Sequence, residues 1–192
     1  MQNKHFVNGK DMYENYPDGL SHALLGLGCF WGAERLFWEL GGVYVTSVGY
    51  GGGGTDNPDY EQVCLGTTGH AELVYIVFSQ DSLPYAELLK IFFESHDPTQ
   101  GNRQGNDTGT QYRSIIYTHN KGQEEAAKSV KMLYDMTYKK AGKNPITTQI
   151  LPMPKYYPAE NYHQQYLAKN PDGYCHIGGT GINCPILESV DN

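Results

Sequence analysis

One stretch, centred on Cys29, constrains the fold of this chain more than any other. Residues 22–27 are mostly apolar and have the length of a buried β-strand. Beyond the sequence Gly28-Cys29-Phe30-Trp31-Gly32, apolar side chains recur with the period of one helix face, at Ala33, Leu36, Phe37 and Leu40. Two glycines, at positions 41 and 42, are expected to end that helix. The sequence therefore predicts a strand that turns into a helix, with Cys29 at the helix N-terminus.

A cysteine in this position has two interpretations. Free backbone N–H groups and the helix dipole favour an anion there, which predicts a lowered pKa for Cys29 and a better nucleophile. Cysteine is also among the most buried residue types, so Cys29 could equally be a small side chain packed under a helix. The pentapeptide alone leaves both interpretations open.

Length and charge narrow the class of protein. The chain has 192 residues and a net charge of −7, which fits a single domain, 1–192, with a sizeable core. An acidic chain argues against nucleic-acid and anionic-membrane partners, and no stretch approaches the ~18–20 apolar residues of a membrane span. The first residues lack the apolar core of a signal peptide, so we expect a cytoplasmic location. Residues 1–21 are expected to form a surface arm, and about 171–192 a mobile coil tail.

Glu72 lies in a second informative strand, residues 70–78. One face of this strand carries Leu73, Tyr75 and Val77. The other face carries Glu72, Val74, Ile76 and Phe78. Because both faces are apolar, the strand should be buried, and a desolvated carboxyl should have a raised pKa, as a protonated general acid does. The alternative is an exposed Glu72 at the strand's start, paired with Arg35, Arg103 or Arg113.

Further helices and strands alternate along the chain and indicate an α/β fold. Strands are predicted at 43–50, 114–117 and 145–151, and helices at 84–94, 121–141 and 159–167. A short helix with Asn57 as N-cap would carry Tyr60 and Cys64. The polar stretch 99–113, which contains Asp107 and Tyr112, is long for a loop in a compact domain, and such loops are often functional. Asp107 could instead merely hold a turn.

Two cysteines in the glycine-rich tail, Cys175 and Cys184, complete a redox pattern. A nucleophilic thiol that takes up oxygen becomes a sulfenic acid, which condenses with a second thiol to a disulfide. Thiol–disulfide exchange then restores the free nucleophilic thiol.

Two other functions fit parts of this pattern. One alternative is a thiol hydrolase or acyltransferase in which His70 or His163 activates Cys29. The other is a metal-binding module using Cys175, His176, Cys184 and His163, although their spacing is poor for zinc.

Several motifs together resemble the A-type peptide methionine sulfoxide reductases, the class specific for the S epimer. The resemblance runs from about residue 20 to 185 and begins with Gly28-Cys29-Phe30-Trp31-Gly32. The other matching segments are Gly49-Tyr50 through Asn57-Pro58-Asp59-Tyr60, Thr68-Gly69-His70-Ala71-Glu72, His96-Asp97-Pro98-Thr99, Gln104-Gly105-Asn106-Asp107, Gly109-Thr110-Gln111-Tyr112-Arg113-Ser114 and Ala159-Glu160 with Tyr162-His163-Gln164-Gln165-Tyr166. One departure is His176, which follows Cys175 where a glycine is usual.

The resemblance implies a reaction and assigns residues to it. Cys29 would attack the sulfoxide sulfur while protonated Glu72, supported by Tyr60 and Tyr112, protonates the sulfoxide oxygen. Asp107 would order the polar side of the site, and Phe30 and Trp31 would form an apolar pocket for the substrate's methyl group.

The resemblance also implies how the enzyme is recycled. Cys175 would resolve the Cys29 sulfenic acid as a disulfide, and Cys184 would exchange onto Cys175. Thioredoxin, or dithiothreitol in vitro, would then reduce the second disulfide, and Cys64 would be a buried, inert thiol.

The resemblance further implies an α+β two-layer sandwich with a ferredoxin-like plait, long loops and a coil C-terminal tail. It implies a monomer that needs no cofactor or metal and repairs methionine sulfoxide, free or in oxidised proteins.

Overall fold

The computed structural model describes residues 3–175 and 177–183, in which six strands form one sheet. The order across the sheet is β7-β6-β1-β3-β2-β8. These strands are β1 (Ser21–Gly26), β2 (Val43–Gly51), β3 (Ala71–Phe78), β6 (Ile115–Thr118), β7 (Gln149–Pro152) and β8 (Tyr156–Pro158). Two shorter strands, β4 (Arg103–Gln104) and β5 (Asp107–Thr108), pair with each other. The helices are α1 (Phe30–Trp38), α2 (Tyr60–Cys64), α3 (Tyr85–Glu94), α4 (Lys121–Lys140) and α5 (Tyr166–Lys169), with a 3₁₀ helix at Thr110–Tyr112.

Strand β3 lies at the centre of the sheet. It pairs antiparallel with β1 on one side and with β2 on the other, where Glu72 stands opposite Tyr50. Every residue of β3 except Tyr75 is buried, which confirms the buried strand predicted from its two apolar faces. The carboxyl of Glu72 is therefore carried into the interior by the strand itself.

The helices cover one face of this sheet. Alternate residues of the strands, including Leu25, Val74 and Ile76, pack with Phe37 of α1 and with residues of α3 and α4 in the main core. The opposite face has smaller apolar clusters, one of which buries Met12 of the N-terminal arm against β2 and β3. The mixed α/β class predicted from the sequence is confirmed, while the ferredoxin-like plait within it stays a prediction.

Several boundaries differ from the sequence prediction. Helix α2 begins after Asp59, whose side chain accepts a hydrogen bond from the Gln62 amide, whereas Asn57 has a φ of 48° and caps nothing. The helix predicted over 159–167 is mostly turns, because Gln165 has a left-handed φ of 48° and α5 begins only after it. Strand β8, which precedes it, was not predicted.

Helix α4 packs against the core through one face. Val130, Tyr134 and Tyr138 are buried on this face, whereas Leu133 and Thr137 are only half-buried. The Tyr134 hydroxyl donates to Glu94 Oε1 at 2.8 Å, so this buried phenol keeps its hydrogen bond. Among the described residues, no helix has the length and apolar character needed to cross a membrane.

Candidate active site

Cys29 lies where the sequence placed it, between a strand and a helix. Strand β1 ends at Gly26, and Cys29 is the N-cap of α1. Gly28 makes the turn with a φ of 103°, and a Cβ there would lie 2.7 Å from the Gln104 side chain. Only glycine combines that backbone conformation with so close an approach. The Gly-Cys pair therefore presents the thiol at the start of the helix and against the loop that carries Gln104.

The thiol of Cys29 has a raised pKa, so the lowered value predicted from the helix N-terminus is wrong. Burial is the largest cause, and the negative charge of Glu72 adds to it. The amides of Trp31 and Gly32 hydrogen-bond to the sulfur and lower the pKa, but by less. A sulfur that has lost most of its hydration gains too little from two amides to stay ionised. Cys29 is therefore a protonated thiol in the resting site.

Glu72 is the buried acid that the strand pattern predicts. Glu72 is only 2% exposed, and its Oε2 accepts a hydrogen bond from the Phe30 amide at 2.9 Å. Burial raises the pKa of Glu72 to about 8, the charge of Asp107 raises it further, and the Phe30 amide lowers it. At neutral pH the carboxyl is therefore mostly protonated and can donate a proton next to Cys29.

The three arginines considered as partners of Glu72 have other partners. Arg35 pairs with Glu39 at 3.0 Å, on the exposed side of α1. Arg103 donates to the Gly105 carbonyl, and Arg113 to the carbonyls of Thr110 and Gly69. The alternative of an exposed, paired Glu72 is therefore not what the structure has.

Tyr60, Tyr112 and Asp107 come from three different segments. Tyr60 is the first residue of α2, Tyr112 ends the 3₁₀ helix, and Asp107 lies in the β4–β5 hairpin. The pKa of each phenol is raised, chiefly by burial, and the charge of Glu72 contributes in both cases. The structure thus brings two neutral hydroxyl donors to the Glu72 side of the site. Asp107 lines a small cavity together with Cys29.

The other cysteine near this group, Cys64, differs from its prediction. It is exposed rather than buried, because α2 is only five residues long and turns Val63 towards the core. A hydrogen bond between the Cys64 thiol and the Tyr60 hydroxyl is the second cause, after burial, of the raised Tyr60 pKa.

Phe30 and Trp31, predicted as a methyl pocket, have unequal exposure. Phe30 is 1% exposed and packs in the core, with its ring centroid 5.0 Å from that of His163. Trp31 is half-buried, and its indole N–H donates to His163 Nδ1 at 2.9 Å. Its ring also stacks on Tyr166, with centroids 3.8 Å apart and planes 13° apart. Of the two aromatic residues, Trp31 has the surface that a ligand can reach.

Glu160 supports the same region, although no local pattern in the sequence indicates a role for it. Its Oε1 accepts from the Tyr60 amide at 2.8 Å, and its Oε2 accepts from the Tyr50 hydroxyl at 2.9 Å. Oε2 also lies 3.8 Å from His163 Nε2. Glu160 falls within one of the matched segments, which is the only signal in the sequence that could have indicated it.

The first tail cysteine, Cys175, reaches the cavity next to Cys29. This small cavity is lined by Leu27, Cys29, Gly32, Gln104, Asp107, Cys175 and Ile177. A Cβ at Gly32 would lie only 3.1 Å from the Cys175 sulfur, so the missing side chain leaves room for the tail. Tyr174 donates a hydrogen bond to Asp107 at 3.1 Å, one residue before Cys175. The structure therefore places Cys175 beside the N-terminal turn that carries Cys29.

Beyond this cavity the tail follows the helices. Thr180 Oγ1 and the Tyr138 hydroxyl are 2.7 Å apart, and a Cβ at Gly179 would overlap the Glu94 carbonyl oxygen. The mobility expected of the tail stays a prediction, and these are the contacts that movement must break. Cys184 lies outside the described residues.

The two histidines considered as activating bases have no free acceptor nitrogen. His70 Nδ1 accepts from the Gly53 amide at 3.1 Å, while Nε2 bonds to the Thr55 carbonyl at 2.7 Å. Burial lowers the pKa of His163 to about 4, and its Nδ1 already accepts from Trp31. A neutral imidazole has one acceptor nitrogen, so neither ring can take a proton from Cys29 in this arrangement.

Two of the four residues considered as metal ligands, His176 and Cys184, lie outside the described part of the chain. Within 3–175 and 177–183, no three His, Cys, Asp or Glu side chains come together as metal ligands.

Known proteins are similar to the chain over most of its length. The family model described as peptide methionine sulfoxide reductase matches residues 21–186. A Synechocystis protein named peptide methionine sulfoxide reductase MsrA 1 is 57% identical over 187 residues, which are 97% of this chain and 84% of that protein.

Solved structures are also similar to the chain over most of its length. Methionine sulfoxide reductase A of Corynebacterium diphtheriae has a TM-score of 0.85 and 45% identity, over 96% of this chain and 90% of that one. Reduced Mxr1 from Saccharomyces cerevisiae has a TM-score of 0.77 and 36% identity, over 84% and 92%. Mxr1 in complex with Trx2, at a TM-score of 0.57 and 22% identity over 86% and 94%, shows the fold alone.

Because the charge of Glu72 raises the pKa of Cys29, removing that charge should change the reactivity of the thiol. In a variant with Cys64, Cys175 and Cys184 changed to Ser, Glu72→Gln should speed the alkylation of Cys29 by iodoacetamide at pH 9. At that pH Glu72 is ionised, and removing a nearby like charge lowers a pKa by about one unit, which gives about tenfold more thiolate. Glu39→Gln, which changes an exposed carboxylate at the C-terminal cap of α1, should leave the alkylation rate unchanged. An equal or slower rate in Glu72→Gln would contradict the coupling.

Proposed function

Because the chain belongs to the peptide methionine sulfoxide reductase family, whose members are oxidoreductases acting on methionine sulfoxide, we propose that it reduces the S epimer with Cys29 as nucleophile. One observation carries this proposal: a protonated thiol and a buried carboxyl with a pKa of about 8 share the N-terminus of one helix. A sulfoxide oxygen is a poor leaving group until it is protonated, and Glu72 is the acid at hand.

The first chemical step transfers one oxygen atom and two electrons. The Glu72 proton goes to the sulfoxide oxygen, the Cys29 sulfur bonds to the sulfoxide sulfur, and the thiol proton passes to the Glu72 carboxylate. The sulfoxide S–O bond and the new bond between the two sulfurs then break as the hydroxyl group moves to the Cys29 sulfur, leaving methionine and a Cys29 sulfenic acid. Substrate sulfur is reduced, Cys29 is oxidised, and Glu72 ends protonated as it began.

The surrounding residues have distinct roles in this step. Tyr60 and Tyr112, kept neutral by their raised pKa values, donate hydrogen bonds to the oxygen as charge develops on it. Asp107 orders the polar side of the site. Trp31, backed by the buried Phe30, receives the methyl group, which only shape and dispersion can recognise.

The second half-reaction returns the enzyme to its reduced form. The Cys175 sulfur attacks the Cys29 sulfenic acid, and a disulfide forms as water leaves. Cys184 then exchanges onto Cys175, and thioredoxin supplies the two electrons that reduce the Cys175–Cys184 disulfide. The position of Cys175 at the cavity beside Cys29 supports the first of these disulfides. The complex that the similar yeast protein Mxr1 forms with Trx2 supports a thioredoxin as the partner.

A substrate assay tests the reaction and its stereochemistry together. With dithiothreitol as reductant and peptides that carry either epimer of methionine sulfoxide, the enzyme should consume the S epimer and leave the R epimer. Cys29→Ser should have no activity, because a hydroxyl cannot form the sulfenic acid. Turnover of the R epimer, or turnover by Cys29→Ser, would overturn the proposal.

The role of Glu72 as acid predicts a second rate effect. Glu72→Gln should lower the rate of methionine formation in a single turnover by about 10²–10⁴-fold, the usual range for loss of a general acid. In the wild type this rate should fall as the pH rises through about 8, where Glu72 loses its proton. The variant should lack that fall. A near wild-type rate, or the same pH dependence in the variant, would remove Glu72 from this role.

The role of Cys175 predicts a stalled enzyme. With thioredoxin as the reductant, Cys175→Ser should release about one methionine per enzyme and then stop, because the thiol that resolves the sulfenic acid is missing. Cys64→Ser keeps a hydroxyl next to Tyr60 and should continue to turn over. Sustained turnover by Cys175→Ser would show that another thiol resolves Cys29.

A further inference from the structure

Helix α1, which has Cys29 at its N-terminus, carries a buried carboxyl that the proposed mechanism does not use, that of Glu34. Glu34 is fully buried, and three donors point at it. Its Oε2 accepts from the Gln165 backbone amide at 2.7 Å, and its Oε1 accepts from the Gln165 side chain at 2.6 Å. Oε1 also accepts from the Thr46 hydroxyl at 3.0 Å. Burial raises the pKa of Glu34 to about 7 in spite of these bonds, so a carboxyl here is costly to build, and two of its three bonds hold a single residue.

That residue, Gln165, has an uncommon backbone conformation. Its φ of 48° and ψ of 44° are left-handed, which non-glycine residues adopt at a cost unless their surroundings hold them. Glu34 binds both the main chain and the side chain of Gln165, and the Gln165 side-chain oxygen accepts from the Phe6 amide at 2.9 Å. The strained residue is therefore fixed from α1 on one side and from the N-terminal arm on the other.

The residues that flank Gln165 contact the candidate methyl pocket. Tyr166 stacks on Trp31 at 3.8 Å, and His163 accepts the Trp31 indole N–H at 2.9 Å. The indole is thus held by one contact on its face and one on its edge, both from the segment that Gln165 anchors. Trp31 and Glu34 are three residues apart and lie on neighbouring positions of the same helix.

We propose that Glu34 is a positioning residue, which clamps Gln165 and thereby holds His163 and Tyr166 against Trp31. Glu34 and Gln165, joined by these two hydrogen bonds, form the Glu34 clamp. The consequence for the reaction, a pocket of fixed shape for the methyl group, rests on the proposed role of Trp31. A carboxylate is required because all three partners donate: a glutamine here would turn its own NH₂ towards a donor.

The clamp is tested by the order of Trp31 and by substrate affinity. Trp38→Phe leaves Trp31 as the sole tryptophan, since the chain has two. In that background, Glu34→Gln should increase acrylamide quenching of Trp31 about threefold or more and weaken the near-ultraviolet dichroism of the stacked pair. KM for the sulfoxide should rise about tenfold or more, the discrimination that one methyl in a pocket provides, with kcat changed less.

Two variants separate positioning from general stability. Thr46→Val removes a bond to the same carboxylate but leaves both bonds to Gln165, so it should lower thermal stability without changing Trp31 quenching or KM. The exchange Glu34→Gln with Gln165→Glu restores an amide–carboxylate pair and should recover most of both readouts. Should Glu34→Gln fail to fold, Gln165→Met carries the test, since it keeps the backbone bond and loses the side-chain bond.

The outcomes distinguish this proposal from the function on which it rests. Unchanged quenching of Trp31 in a folded Glu34→Gln or Gln165→Met variant would overturn the clamp, whatever the activity. Increased quenching with an unchanged KM would keep the clamp and reject Trp31 as the pocket wall. Thr46→Val disturbing Trp31 as strongly as Glu34→Gln would reduce Glu34 to a purely structural role.

Discussion

The hydrogen bond from the Phe30 amide to Glu72 is the contact on which the site depends. It joins the first turn of α1 to the central strand β3, 42 positions along the chain, and both partners are buried. Without it, a carboxyl in an apolar core would have no partner, and the turn that presents Cys29 would have a free amide. The same bond keeps acid and thiol side by side, so one contact serves both the fold and the chemistry.

Burial decides how the thiol is activated. The helix N-terminus does donate two amides to Cys29, but desolvation outweighs them and leaves the thiol protonated, and the Glu72 charge adds to this effect at pH values where Glu72 is ionised. A site of this kind gains little from a stable thiolate and more from an acid that makes the sulfoxide sulfur electrophilic. The raised pKa of Glu72 and the raised pKa of Cys29 have the same origin, and in the proposed step the two groups exchange protons through the substrate.

Further polar residues hold in place the segments that carry the residues of the site. Glu160 ties α2, which carries Tyr60, to the segment that carries His163. That segment holds Trp31, and Gln165 anchors it to Glu34 on the same helix as Cys29. Gln104, which contacts Gly28, bonds the main chain of Asp97 through both its amide atoms and so fixes the hairpin that carries Asp107. Loops that carry functional residues need such bonds, because they have few apolar contacts to hold them.

The sequence by itself determined the strand–turn–helix around Cys29, the buried strand of Glu72 and most helices and strands, and its motifs indicated the residues of the proposed reaction. Apolar periodicity and glycine positions are local signals, and burial of a whole strand follows from its two faces. Only the tertiary structure decided the thiol's pKa, the exposure of Cys64, the turns at 161–165 and the hydrogen-bond partners of Glu34 and Glu160. Each depends on groups more than twenty positions away, or on whether a polar side chain finds partners across the fold. No local pattern records either, because desolvation and hydrogen-bond pairing are properties of the folded interior.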